Sequence, residues 1–260
     1  MTIWEAVLLG VVQGATEFLP VSSSGHLVMV QTVLGVTDSG VVFEVAVHLA
    51  TLLSILLVYR TRVVDLARGA LRGDRTSLRY VGLLAVATLP AGIVGVLWKD
   101  AIEGLFETPA APGIALLVTG AFLWSSRRPL ATATGTLPGW GAALLIGLAQ
   151  AVALVPGISR SGATVVAALW LGVEAREAAA FSFLMAVPAI AGAAVLQVPE
   201  LSGVTGPGWG GLLLGGVTAA VVGVLAIRTF VAVLARHSFH LFAPYCWAVG
   251  ALFLAYLALR

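Results

Sequence analysis

The sequence predicts an all-α polytopic membrane protein folded as an inverted-topology repeat, each half a re-entrant helix hairpin plus three transmembrane helices. Three observations carry that expectation. Of 260 residues, 60% are hydrophobic and only 10% charged, against about a quarter charged in an ordinary soluble domain. With a mean hydropathy of +1.04, the chain has too little polar surface to cover itself in water. Basic and non-basic connections alternate along it. Two polar, Pro/Gly/Ser-broken segments, at 13–27 and 150–164, interrupt stretches otherwise apolar enough for a bilayer, and they resemble each other.

The spans come first. The stretches 41–59, 80–98, 111–126, 178–197, 210–228 and 243–259 are each apolar enough to cross a membrane, which takes about 20 residues of helix. The third is short and is expected to run past its apolar limits. The connection at 60–79 carries Arg60, Arg62, Arg68, Arg72, Arg75 and Arg79. The one at 127–139 opens with Arg127 and Arg128, and the one at 228–242 holds Arg228 and Arg236. Between them lie Asp100, Glu103 and Glu107 after Lys99, and then Glu200. The positive-inside rule sets the Arg connections in the cytoplasm and both termini outside. Trp98, Trp124, Trp140, Trp209 and Trp247 fall near span ends, where interfacial Trp is expected.

Nothing polar or repetitive divides the chain, so residues 1–260 read as one membrane domain, with repeat one at 1–126 and repeat two at 139–260. The N-terminal stretch has neither a basic leader nor a small-residue cleavage site and does not read as a removable signal peptide. The single cysteine, Cys246, excludes an intrachain disulfide and a thiolate metal site. The net charge of +2 points to no nucleic-acid partner.

Residues 3–36 and 139–173 do not fit single helices. Each is apolar at both ends and broken at its centre, by FLPVSSSGH and by LVPGISRSG. Irregular backbone survives at membrane depth only when buried in protein or lining a wet cavity, so each reads as helix–break–helix, entering and leaving on one side. The two align without a gap at an offset of 137: Gly10 with Gly147, Gln13 with Gln150, Ser22 with Ser159, Ser24 with Ser161, Gly25 with Gly162. Pro20 and Pro156 slip by one place, and Phe43 and Phe181 form a fainter echo. A hairpin plus three spans is an odd number of crossings, so the halves must lie inverted, with broken tips able to meet inside the membrane.

The halves differ where chemistry is needed. Glu17 stands opposite Leu154, His26 opposite Ala163, and Ser23 opposite Arg160. An arginine at membrane depth costs roughly 2.5–3.5 kcal/mol on insertion scales and implies an anion or a fixed counter-ion. Arg160, with Ser159, Ser161, Gly162 and Thr164, opens an apolar helix, and Ser22, Ser23, Ser24 and Gly25 open another. Helix N-termini with hydroxyls and a bidentate cation suit phosphate, and two facing tips suit a diphosphate. Gln13 and Glu17 share a helix face. Glu17 is a candidate base or divalent-cation ligand, or a plain partner for Arg160. His26 is a candidate proton donor or acceptor, or a packing residue. Glu44 and His48 form a second i,i+4 pair that either borders the same cavity or snorkels. Glu5 reads as solvated, and His237 and His240 suggest nothing specific.

The segments GVVQGATEFLPVSSSGHL at 10–27 and LVPGISRSGAT at 154–164 resemble the two signature motifs of the bacterial undecaprenyl-diphosphate phosphatases of the bacitracin-resistance type. FEVAVHLATLLSILLVYR at 43–60 and FSFLMAVPAI at 181–190 are similar to that family too. The resemblance implies removal of the terminal phosphate of undecaprenyl diphosphate, recycling the lipid carrier of cell-wall synthesis in the bacterial inner membrane. It also implies a divalent metal, Mg2+ or Ca2+. It assigns Glu17, Ser23, His26 and Arg160 to catalysis, with Ser22 or Ser23, His26 or water as nucleophile. Ser22, Ser24, Gly25, Ser159, Ser161, Gly162 and Thr164 would hold phosphate, and Glu17 with Gln13 the metal. Family members with two carboxylates have Glu where Gln13 stands, and an amide is the weaker ligand. The competing reading is a lipid-phosphate flippase using the same inverted-repeat site. A homodimer is compatible with the sequence and not required by it.

Overall fold

Helices α1 (Ile3–Phe18) and α2 (Ser23–Leu34) form the first hairpin. A computed structural model describes residues 2–34, 41–197 and 208–259; Glu200 and the last two residues of the segment 3–36 lie outside the described residues. After the hairpin come α3 (Val41–Val58), α4 (Arg60–Leu71), α5 (Arg75–Leu97), α6 (Lys99–Glu107), α7 (Ala111–Ser125) and the short α8 (Pro129–Thr132). The second hairpin is α9 (Trp140–Val152) and α10 (Arg160–Trp170), followed by α11 (Ala175–Gln197), α12 (Trp209–Ala235), a 3-10 turn at Phe239–Leu241, and α13 (Phe242–Leu259). The chain is thus an all-α, multi-pass membrane protein.

The helix ends follow local chemistry. α1 opens on a capping box, Thr2 accepting the Glu5 amide at 3.3 Å and Glu5 the Thr2 amide at 2.7 Å. It closes at Leu19, which takes an extended conformation because Pro20 follows it. Asp74 caps α5 by accepting the Ser77 amide at 2.8 Å. Hydrogen bonds from the Ser77 side chain and backbone hold this carboxyl below its ordinary value.

Among the described residues four helices are long and apolar enough to cross a membrane: Arg75–Leu97, Ala175–Gln197, Trp209–Ala235 and the run Phe239–Leu259. The expected extension of the short third span does not run straight, since α6 meets α7 at a bend of 103°. α4 likewise bends 79° away from α3, so the Arg-rich connection is largely an amphipathic helix with no buried residue. Arg75 and Arg79 belong to α5, and Arg228 lies inside α12 rather than in the connection after it. Long basic side chains reach the interface from within a helix, so hydropathy ends the span too early. Trp98, Trp140 and Trp209 are exposed at helix ends. Trp247 instead packs between α7 and α13, donating to the Leu117 carbonyl at 3.1 Å.

The repeat is visible in the packing. α1 lies chiefly on α12, and its counterpart α9 lies on α5, so each hairpin packs against the second full span of the other half. The matched glycines make that approach possible. A Cβ on Gly10 would strike the Gly215 backbone, and one on Gly147 would strike the Ala87 backbone. Aromatic side chains tie the centre together: Phe18 meets Phe183 edge-on at 5.6 Å, and Phe183 meets Phe230 at 5.0 Å. Large apolar side chains such as Leu53, Leu89, Val217 and Leu252 point outward, as a lipid-facing surface requires.

Candidate active site

The broken tips of the two hairpins meet. Ser22 and Ser159, matched in sequence, make the same cap: Ser22 Oγ accepts the Gly25 amide at 3.3 Å, and Ser159 Oγ the Gly162 amide at 3.1 Å. The second serine of each pair follows suit, Ser24 Oγ lying 3.3 Å from Ser22 Oγ and Ser161 Oγ 3.2 Å from Ser159 Oγ. Across the junction Ser22 Oγ also accepts the Gly157 amide at 3.1 Å, and Ser161 Oγ donates to the Leu19 carbonyl at 3.3 Å. A Cβ on Gly25 would come within 2.9 Å of Gly157 Cα, so this glycine is a requirement of tip contact. The halves diverge in where the chain turns left-handed, at Ser22 (φ 67°) in one and Gly157 (φ 99°) in the other.

Glu17 sits at the centre of what the tips enclose, 7% exposed. Its Oε1 accepts from Arg160 at 2.7 Å, and its Oε2 accepts from Ser23 Oγ at 2.6 Å and Gln13 Nε2 at 3.1 Å. A carboxylate, a hydroxyl donating to it and a guanidinium therefore share one site, contributed by α1, α2 and α10. Arg160 spends one terminal nitrogen on Glu17; the other terminal nitrogen, Nη1, is buried and has no partner among the described residues. Such an atom needs an acceptor, and a phosphate oxygen is a suitable one.

The remaining expected residues divide into two groups. Ser22, Ser159, Ser161 and Thr164 are all at most 3% exposed and bond within and between the tips. Thr164 Oγ1 donates to the Arg160 carbonyl at 2.7 Å and pairs with Ser182 Oγ at 2.7 Å, bracing the turn that carries Arg160. Ser23, Ser24 and Arg160 are only partly buried. His26 does not touch Glu17; its Nδ1 meets the Ser22 carbonyl at 2.8 Å and its Nε2 the Tyr245 hydroxyl at 2.8 Å.

Glu17 and Gln13 are the side chains that could offer oxygen to a divalent cation here. Among the described residues no three His, Cys, Asp or Glu groups converge, so a cage made only by protein is not offered. Yet Gln13 Oε1 is buried without a partner among those residues, on the amide whose Nε2 donates to Glu17. Mg2+ characteristically takes one or two protein oxygens and fills the rest of its shell with phosphate and water.

Three further residues border or brace the site, and only the first of them is a candidate from the sequence. His48 Nε2 lies 4.0 Å from Glu17 Oε2, so of the Glu44–His48 pair His48 borders the site; its Nδ1 bonds the Glu44 backbone carbonyl at 2.8 Å. A histidine inside an apolar span was the available signal. Thr119 of α7 donates to the Gly157 carbonyl at 2.8 Å and accepts the Ser159 amide at 3.1 Å, pinning both sides of the second break. Tyr245 is the third. Nothing in the sequence distinguishes Thr119 or Tyr245 from ordinary span residues.

Broken hairpins that bring a carboxylate, a hydroxyl and a guanidinium together define a polytopic membrane protein with a buried polar site at their junction. The family profile described as bacitracin resistance protein BacA matches residues 6–252, and the chain belongs to that family. It is 42% identical to an undecaprenyl-diphosphatase of Desulforapulum autotrophicum over 96% of either chain. Identity is also 42% with an undecaprenyl-diphosphatase of Rubrobacter xylanophilus over the full length of both, and 37% with one of Methanobrevibacter smithii over 96% of each.

Proposed function

We propose that the chain hydrolyses undecaprenyl diphosphate to undecaprenyl phosphate and orthophosphate. The observation that carries this is the line Ser23–Glu17–Arg160, a hydroxyl at 2.6 Å and a guanidinium at 2.7 Å from one carboxylate. It is the arrangement of an activated nucleophile beside an anion clamp. In this reading Ser23 Oγ attacks the terminal phosphorus and yields its proton to Glu17. The bond from phosphorus to the bridging oxygen breaks, and the departing lipid phosphate takes the proton from Glu17. Water then attacks the phosphorylated serine, and its proton passes by way of Glu17 to the leaving Ser23 Oγ. Arg160 Nη1 binds a non-bridging oxygen, and the charge that builds there in the transition state is met by a donor already in place. Both His26 nitrogens are engaged elsewhere, which favours Ser23 over His26 as nucleophile. A bound Mg2+ or Ca2+, held by Glu17 and Gln13 Oε1, would supply charge neutralisation on the diphosphate.

The Arg-bearing connections support, by the positive-inside rule, a reading with both termini outside a bacterial inner membrane and the site open to its outer face. Recycling the carrier lipid there would confer bacitracin resistance. Release of orthophosphate from undecaprenyl diphosphate by purified protein, with Mg2+ or Ca2+ added, is the test. Folded protein that releases none under either metal contradicts the proposal. The inverted repeat also suits a lipid-phosphate flippase. Transbilayer movement of undecaprenyl phosphate in vesicles carrying Glu17→Gln protein would reveal transport separate from hydrolysis.

A further inference from the structure

His26 is wired between the two halves of the molecule. A backbone carbonyl can only accept, so the 2.8 Å contact from His26 Nδ1 to the Ser22 carbonyl puts a proton on Nδ1. In the neutral ring Nε2 is then the acceptor, and the Tyr245 hydroxyl 2.8 Å away donates to it. Tyr245 reaches in from α13, 219 residues along the chain, and its own ring lies nearly parallel to the imidazole, at 5°.

The carbonyl at the far end of this chain belongs to a strained residue. Ser22 has φ 67°, a left-handed conformation that a non-glycine residue keeps only when its surroundings hold it there. They hold it at both ends. Its Oγ accepts the Gly25 and Gly157 amides at 3.3 and 3.1 Å, and its carbonyl accepts the His26 amide at 3.2 Å and the His26 ring. The next residue is Ser23, whose hydroxyl lies on Glu17 at 2.6 Å.

We propose that Tyr245 is a positioning residue of the active site: its hydroxyl, hydrogen-bonded to Nε2, holds the His26 ring, and through the ring the Ser22 turn that delivers Ser23 to Glu17. The proposal rests on the phosphatase reading for its effect on rate, but not for its geometry. The ring contact survives Tyr245→Phe, so that variant removes the donor alone and frees the Nε2 lone pair.

The test uses the purified full chain and two readouts, labelling of individual histidines by diethyl pyrocarbonate, mapped by mass spectrometry, and orthophosphate release. In the wild type His26 resists labelling because Nε2 is occupied. In Tyr245→Phe it labels several-fold faster, while His237 labels as before and reports an intact fold. kcat falls by about tenfold with KM within about twofold, the pattern of lost orientation rather than lost binding. Tyr256→Phe, elsewhere on α13, changes neither readout. Wild-type labelling of His26 in Tyr245→Phe overturns the proposal, as does faster labelling with unchanged kcat. If labelling changes as expected but the wild type releases no phosphate, the contact stands and the phosphatase reading is what fails.

Discussion

Arg160 and Glu17, 143 residues apart, meet at 2.7 Å inside the protein, with side chains 16% and 6% exposed. Neither hairpin alone could keep its charge at membrane depth; each tip supplies the counter-ion of the other.

Stability and chemistry at this pair should separate. Arg160→Met leaves the Glu17 carboxylate buried without its cation, a loss on the order of 3–5 kcal/mol when one partner of a buried pair is removed. The double variant Glu17→Gln/Arg160→Met removes both charges and should regain most of that loss in thermal unfolding in detergent, while releasing no phosphate.

The two adjacent serines should behave oppositely. Ser23→Ala deletes the hydroxyl on Glu17 and should lower kcat by about a hundredfold or more, as expected for loss of a nucleophile or its equivalent, with a melting temperature near wild type. Ser22→Ala strips the Gly157 amide of its acceptor and should cost ~1–3 kcal/mol. Melting curves beside phosphate release distinguish them.

Thr119→Val keeps the shape of the side chain and removes both hydrogen bonds to the second break. The prediction is a stability loss of about 1–3 kcal/mol from an unpaired Ser159 amide and Gly157 carbonyl. Activity should fall as well, because Ser159 caps the helix that begins with Arg160.

Glycines along the hairpin helices should sort by what surrounds them. Gly147→Ala drives a methyl into the Ala87 backbone and should destabilise by ~1–3 kcal/mol as overpacking does. Gly141→Ala, in the same helix with open space around it, should be neutral or gain up to about 1 kcal/mol from helix propensity. Thermal unfolding of the two variants is the comparison.

The inverted fold was legible because its constraints are repeated in the chain: Ser22 with Ser159, Gly25 with Gly162 and Gly10 with Gly147 each do the same job in both halves. Glu17 and Arg160 stood out because charge at membrane depth is costly. Span ends were less legible, as Arg228 inside α12 and the bends flanking α4 and α6 show; hydropathy registers the first charge, not the last helical residue. Tyr245 and Thr119 could not be read from sequence. Their partners are distant, their residue types are ordinary in spans, and their importance comes from one hydroxyl placed by tertiary packing.

The most direct test of the account is orthophosphate release from undecaprenyl diphosphate by purified wild type, Ser23→Ala and Arg160→Ala, each confirmed to be folded. The account predicts release by the wild type and near-complete loss in both variants. Release at the wild-type rate by both would contradict it, since the site would then lie elsewhere in the protein.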